Sequence, residues 1–261
     1  MPDTGGLERA LAARGAPLPA RLEWHESLVS TNDRLKELAR DGAPEWTVVL
    51  ADVQTGGRGR AGRGWASPAG GLYLSLLLRP RFTHVGVLPL AAGLAVADAA
   101  AEHGAEAFLK WPNDVLLGER KLAGVLAEAA SSAAGVDWVV LGVGVNVSVP
   151  PRAFPAELRE AVASLADVGP APEVAALAAA VLDRLRVWYH AAASSRAAVV
   201  AAWRQRAVAW WGEPVEIRTG GETLRGRLLD VDDEGALLVA TGAGRARRVL
   251  SAEVVRLRRA V

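Results

Sequence analysis

The chain has 261 residues, no cysteine, four histidines and a formal charge of +1 from 30 basic and 29 acidic residues. A disulfide scaffold, a thiolate nucleophile and any cysteine metal site are therefore excluded. His25, His84, His103 and His190 show no ligand spacing, and no global positive field argues for nucleic acid.

With 51% hydrophobic residues, the length suffices for one good core plus a small second module. Asp3, Glu8 and Arg9 interrupt the N-terminus, so no signal core is expected there. The longest apolar run, Val85–Ala97, contains Pro89 and is too short to span a bilayer. A soluble, cytoplasmic protein is the expectation.

A short helix is predicted at Leu7–Arg14 and a strand at Leu22–His25. Ser30-Thr31-Asn32 offers capping groups to an amphipathic helix with Leu35 and Leu38 inward and Gly42 past its end. Plain capping is one reading of this trio; a ligand site is the other. Thr47–Val53 is read as a strand feeding a glycine loop, Leu72–Leu78 as a strand leaving it, and Leu88–His103 as a buried helix stopped by Gly104.

Phe108–Leu117, Lys121–Ala130 and Trp138–Val149 follow as strands, the first two joined in a hairpin through Gly118-Glu119-Arg120. Gly142-Val143-Gly144 leaves space for something to lie flat on the backbone. Helices are expected at Ala156–Ala163, Glu173–Ala193 and Arg196–Ala209, with Trp203, Trp210 and Trp211 sealing a domain junction. After Gly212 come four short strands, Val215–Arg218, Leu224–Asp230, Ala236–Thr241 and Arg245–Leu250, with turns at Gly220-Gly221 and Gly242–Gly244. They suggest an SH3-like barrel. The expected division is 1–211 and 212–261, in an α+β chain.

The centre of the sequence is Gln54–Trp65, which sets five glycines and Arg58, Arg60 and Arg63 between two strands. Glycine permits close approach to a ligand, and arginine forks match phosphate and carboxylate. No acidic residue lies between Asp52 and Asp98, so the loop lacks a local partner in sequence and is expected to be poorly held without an anion. Gly57–Gly62 spells G-x-G-x-x-G, but a strand follows instead of a helix, and no acidic residue stands about 20 positions on. No Gly-Lys exists for a Walker loop. A merely flexible surface loop would more usually be rich in Ser and Gly than in Arg.

Only three cations are lysines: Lys36, Lys110 and Lys121. Lys36 is expected on a polar helix face as plain surface. The other two flank Trp111-Pro112-Asn113-Asp114 and suit work that needs a compact ammonium. There is no nucleophile-plus-base signature, which points to positioning and charge neutralisation.

Four blocks, Gly-Arg-Gly-Arg-Ala-Gly-Arg-Gly-Trp, Lys-Trp-Pro-Asn-Asp-Val, Lys-Leu-Ala-Gly-Val-Leu-Ala-Glu and Leu-Gly-Val-Gly-Val-Asn-Val, resemble the signature blocks of biotin protein ligases, in order. The resemblance implies a mixed-sheet catalytic domain of the class II aminoacyl-tRNA-synthetase-like, biotin–lipoyl ligase type. It implies formation of biotinyl-5′-AMP from biotin and ATP, normally with Mg²⁺, and transfer to a lysine of a biotin carboxyl carrier domain.

By the same resemblance Ser30, Thr31, Asn32 and Gln54 hold the ureido head of biotin. Arg58, Gly59 and Arg60 cover biotin and the adenylate phosphate, and Lys121 stands at the carboxylate and α-phosphate. Arg63, Lys110, Asn113, Asp114 and Asn146 serve the nucleotide or the incoming lysine, with Asp114 orienting or deprotonating that amine. Gly124, Val125, Gly142, Val143 and Gly144 wall the pocket, Trp65 anchors the loop, and Phe154 alone is offered by 150–163 for stacking on adenine. The ligands of the metal ion are not specified by the pattern.

About thirty residues precede Ser30, too few for a winged helix, so a ligase without repressor function and without specific DNA binding is expected. A lipoate-type acyl ligase and a nucleic-acid module gripping through the loop and Arg245–Arg248 are the competing readings.

Overall fold

The strands and helices of the described residues build two sheets and five α-helices. A computed structural model describes residues 2–82, 84–133, 135–219, 221–242, 246–250 and 254–259. The first sheet contains β1 (Arg21–Leu28), β2 (Thr47–Gln54), β3 (Gly71–Leu78), β4 (Ala107–Lys110), β5 (Asp114–Leu117), β6 (Arg120–Ser132) and β7 (Gly135–Asn146). Their order is β1-β2-β3-β7-β6-β5-β4, with β1 parallel to β2 and the other pairs antiparallel. The apolar run of β7 therefore lies at the centre.

Alternation decides which face each side chain takes. Val48, Leu50, Leu74 and Leu76 pack beneath α3 (Leu88–Ala101) and α4 (Val174–Ser194). Val49, Leu77 and Val140 turn to the other face, under Leu35, Leu38 and Ala39 of α2 (Thr31–Arg40). Leu35 is fully buried and Leu38 nearly so, each contributing about 1.5–3 kcal/mol. Ser30 caps α2 through its hydroxyl, which accepts from Asp33 N at 3.4 Å, and Gly42 ends it at φ 82°.

α1 (Thr4–Ala13) lies against α4, and α5 (Arg196–Arg206) follows α4 after the shared cap Ser195. None of the described helices is long and apolar enough to cross a membrane.

Two sequence expectations require correction. Phe108–Leu117 is not one strand: it folds back at Trp111-Pro112-Asn113 into β4 and β5, pairing Lys110 with Asp114 across a turn whose Trp111–Pro112 bond is cis. Proline cannot donate to a ladder, so the run breaks where it stands. Residues 156–163 do not form a helix; a single 3-10 turn covers Ala156–Leu158, and the chain then bonds to β6 through Lys121 N to Ala161 O (2.8 Å) and Ala163 N to Lys121 O (2.9 Å).

The second sheet is antiparallel, ordered β11-β10-β9-β8-β12. It comprises β8 (Pro214–Thr219), β9 (Thr223–Val231), β10 (Leu237–Ala240), β11 (Ala246–Val249) and β12 (Val254–Arg259). The fifth strand was not foreseen: the run 254–259 is half arginine and hides the alternation. Arg245, Gly220 and residues 243–244, assigned above to a strand and two turns, lie outside the described residues. The Trp111 indole donates to Gly235 O at 2.9 Å, joining the two sheets, and Trp203 meets Trp211 edge-on at 6.4 Å.

Candidate active site

Every position singled out from the sequence as a site residue lines one cavity of about 610 Å³. Much of its wall comes from the start of α2, the loop after β2, the β4–β5 turn and the adjacent glycine-bearing strands β6 and β7. Packing sets their separation, so residues as distant as Ser30 and Asn146 share a wall.

The polar end is a buried network. Thr31 N donates to Gln54 Oε1 at 2.9 Å, and Gln54 Nε2 donates to Ser67 Oγ at 2.9 Å. Ser75, fully buried, donates to Asn32 Oδ1 at 2.6 Å, with Thr31 Oγ1 2.7 Å from the same hydroxyl. Thr31 Oγ1 also stands 3.1 Å from Gln54 Oε1, and its single proton cannot serve both neighbours. Ser30 thus caps the helix, and Ser30, Thr31 and Asn32 all line the cavity.

The glycines are required where they stand. A Cβ at Gly142 would come within 2.2 Å of Asn32 Oδ1, and one at Gly144 within 2.5 Å of Trp65 Nε1. The space read from Gly142-Val143-Gly144 is therefore filled here by the Asn32 amide and the Trp65 indole. Trp65 Nε1 is buried without a hydrogen-bond partner, a cost of about 1–3 kcal/mol that a ligand acceptor would relieve.

Backbone hydrogen bonds tie the glycine loop to itself and to its neighbours. Gly56 N bonds to Val29 O (2.8 Å), Gly59 N to Arg63 O (2.7 Å) and Trp65 N to Gly57 O (2.9 Å), closing it into a narrow ribbon. It also has an acidic partner from elsewhere: Arg58 Nη2 is 2.8 Å from Asp33 Oδ2.

Cations surround the opposite end. Lys121 Nζ is 2.6 Å from Asp114 Oδ1 and 5.0 Å from the centre of the Trp65 ring. Arg60 reaches Asn113 Oδ1 at 3.4 Å, and Asn113 Nδ2 donates to Val125 O at 2.7 Å. Burial pushes the Arg60 pKa down to about 10, helped by Arg63 and opposed by Asp114. At neutral pH Arg60 remains charged, at a cost that an incoming anion would offset. Among the described residues no group of three or more His, Cys, Asp or Glu could hold a metal ion. Asp114 and Glu119 are the carboxylates on the cavity wall.

Sequence reasoning missed several wall residues. Leu158 and Val162 arrive through the backbone pairing of 161–163 with Lys121, and Arg259 comes from β12. Trp210, expected at a domain junction, lines the cavity with Lys110 Nζ 4.9 Å above its ring. Phe154 lines it too. No local signal marked Leu158, Val162 or Arg259, because their placement depends on contacts between segments far apart in sequence.

A family model described as the biotin/lipoate A/B protein ligase family matches residues 24–146, and one described as the biotin protein ligase C terminal domain matches residues 211–257. The biotin–[acetyl-CoA-carboxylase] ligase of Mycobacterium tuberculosis is 39% identical over 240 residues, covering 88% of this chain and 86% of the relative. The bifunctional ligase/repressor BirA of Bacillus subtilis is 35% identical over 248 residues, covering 89% of this chain and 73% of the relative. Among solved structures, a biotin protein ligase from Aquifex aeolicus in complex with biotin and ATP superposes with a TM-score of 0.78 at 32% identity, over 92% of this chain and 100% of that one.

Proposed function

The chain belongs to the biotin protein ligase family, and from that membership we propose how its cavity activates biotin with ATP and passes the biotinyl group to a protein lysine. The observation that carries the assignment of roles is the opposition, in one cavity, of the Thr31–Asn32–Gln54 polar wall, braced from behind by Ser75, and the Arg60–Arg63–Lys121 cations.

The polar network has both donors and acceptors, as a ureido group needs, and Ser30, Thr31, Asn32 and Gln54 receive it. Gly124, Val125, Gly142, Val143 and Gly144 wall the apolar body, with Trp65 as the cover. At the far end a biotin carboxylate oxygen attacks the α-phosphorus of ATP; a P–O bond forms as the bond to pyrophosphate breaks. Bringing those anions together costs several kcal/mol unless cations stand ready. Lys121 moves from Asp114 to the reacting oxygens, while Arg58, Arg60 and Arg63 hold the phosphates. Lys110, Asn113, Asn146 and Trp210 suit the remainder of the nucleotide.

Once Lys121 engages the phosphate, Asp114 is released. It orients the neutral amine of the acceptor lysine and takes its proton as nitrogen attacks the acyl carbon and AMP leaves. A Mg²⁺ ion travelling on ATP needs only one or two protein carboxylates, which Asp114 and Glu119 can supply; it would neutralise phosphate charge.

The acceptor we propose is a biotin carboxyl carrier domain, and the compartment the cytoplasm. We divide the chain at 211/212. Sequence-selective DNA binding is not part of this reading, because arginines of the second sheet already meet carboxylates, Arg225 and Arg258 with Glu216 at 3.0 and 2.8 Å and Arg248 with Asp232 at 2.5 Å.

The deciding experiment incubates the protein with ATP, Mg²⁺ and labelled biotin, then adds a carrier domain. An acid-labile adenylate that chases to one carrier lysine is expected. Biotin-independent ATP consumption, or activation of lipoate in preference to biotin, would overturn it.

A further inference from the structure

Lys36 is not the surface residue that its place on a polar helix suggested. Its side chain is only 14% exposed, and Nζ stands 2.8 Å from Asp33 Oδ1 and 2.8 Å from Glu128 Oε1. Each carboxylate spends its other oxygen on a residue of the cavity. Asp33 Oδ2 holds Arg58 Nη2 at 2.8 Å, and Glu128 Oε2 accepts from Asn32 Nδ2 at 2.8 Å. The result is an alternating line, Arg58–Asp33–Lys36–Glu128–Asn32, running from the loop over the cavity to its floor. Its three middle members do not line the cavity.

The ends of this line are held closely. Asn32 lies on Gly142 with Oδ1 taking the Ser75 hydroxyl at 2.6 Å, so its amide has one productive orientation. A carboxylate only accepts, so Glu128 fixes which end of that amide faces β6. An ammonium fits between two carboxylates where a wider guanidinium fork would spread them, which accounts for a lysine in a chain that otherwise favours arginine. Burial opposes the charge of Lys36, but the Asp33 and Glu128 hydrogen bonds outweigh it and raise its pKa. Removing one member leaves a shielded charge uncompensated, so a disturbance at one end is felt at the other.

We propose that Lys36 and Glu128 are positioning residues for biotin activation, holding the Asn32 amide in the cavity floor and coupling its placement to the Arg58 loop. This rests on the biotin-activating reading of the cavity. Neither residue touches a reactant; they act through Asn32 and Arg58. A displacement of the Asn32 amide is thereby transmitted to Arg58.

The test measures biotin-dependent pyrophosphate release and thermal melting for the parent, Lys36→Met, Glu128→Gln, Arg58→Gln and the double variant Lys36→Met/Arg58→Gln. Lys36→Met keeps the apolar stem, and Glu128→Gln keeps an oxygen for Asn32. Each is expected to raise the KM for biotin roughly tenfold while KM for ATP and kcat change less than about threefold, a split that loss of stability alone would not produce. The double variant should fall short of the product of its single effects by about fivefold or more.

Should Lys36→Met fail to fold, Glu128→Gln and its combination with Arg58→Gln carry the same comparison. A biotin KM within twofold of the parent, or effects of Arg58 and the relay residue that simply multiply, overturns the coupling. A parent that releases no biotin-dependent pyrophosphate overturns the activity reading itself, and the coupling with it.

Discussion

Lys121 Nζ lies 2.6 Å from Asp114 Oδ1, bridging the neighbouring strands β6 and β5 at the cationic end of the cavity. The same ammonium sits 5.0 Å above the Trp65 ring, so it is held between a carboxylate and an aromatic face. Both neighbours leave space for a compact charge and little for a fork.

Lys121→Arg should therefore be nearly as damaging as Lys121→Ala, although it keeps the charge. Displacing reacting atoms by about 1 Å costs on the order of a hundredfold in rate. Rapid-quench measurement of pyrophosphate release from both variants checks this. An arginine variant within a few-fold of the parent would remove Lys121 from its assigned place.

Gly144→Ala should weaken biotin-dependent activation at least tenfold and cost about 1–3 kcal/mol of stability, because the new Cβ would stand 2.5 Å from Trp65 Nε1. Gly169→Ala, where an added Cβ meets nothing within 4 Å, serves as the control and should change neither quantity. Calorimetric titration with biotin, alongside thermal melts, distinguishes a filled cavity from a general loss of fold.

Arg60→Gln should release the adenylate without destabilising the empty protein. A base whose pKa is lowered by folding, here to about 10, opposes folding wherever it is charged. That opposition is fully present below about pH 10 and fades as pH rises from there toward the ordinary guanidinium range. The neutral variant should melt at the same temperature as the parent or higher, while free biotinyl-5′-AMP appears in solution and labels bystander amines. Tight retention of the adenylate by the variant would refute the role.

Acid stability should depend on Glu23. Its hydrogen bond from Arg34 lowers its pKa to about 2 against the opposing effect of burial, with His25 and Arg21 contributing. A carboxylate lowered by folding stabilises above its unfolded pKa, near 4.5, and loses that contribution as pH falls from about 4.5 to 2. Urea unfolding should show the parent more stable than Glu23→Gln by on the order of 2 kcal/mol at pH 6. The gap should shrink at pH 3. Parallel pH curves would assign the ion pair no linkage to folding.

Much of the site was legible because its chemistry is local. The loop Gln54–Trp65, the Lys-Trp-Pro-Asn-Asp turn and the glycines of β7 each announce a close backbone approach or a cation without needing a partner to be known. The helix beginning at Ser30 was legible for the same reason: a cap, two inward leucines and a terminal glycine lie within thirteen residues, Ser30 to Gly42. Period alone, by contrast, could not separate β4 from β5 or give 156–163 its true form. In the first case a proline breaks an otherwise continuous apolar run. In the second, an Ala/Leu-rich stretch finds its hydrogen bonds at Lys121 instead of within itself.

The sequence by itself therefore determined most of the elements, the residues able to bind anions and the family they resemble. It did so because capping, periodicity and side-chain chemistry act over a few residues. Only the tertiary structure decided who meets whom: Asp33 with Arg58, Lys36 with Glu128, Trp65 on Gly144, and Trp210 and Arg259 on the cavity wall. Those contacts join positions that are tens to hundreds of residues apart. The packing of α2 and the loop against the sheet sets most of them; for the strand residues Glu128 and Arg259 register decides, because a one-residue slip would turn each to the opposite face.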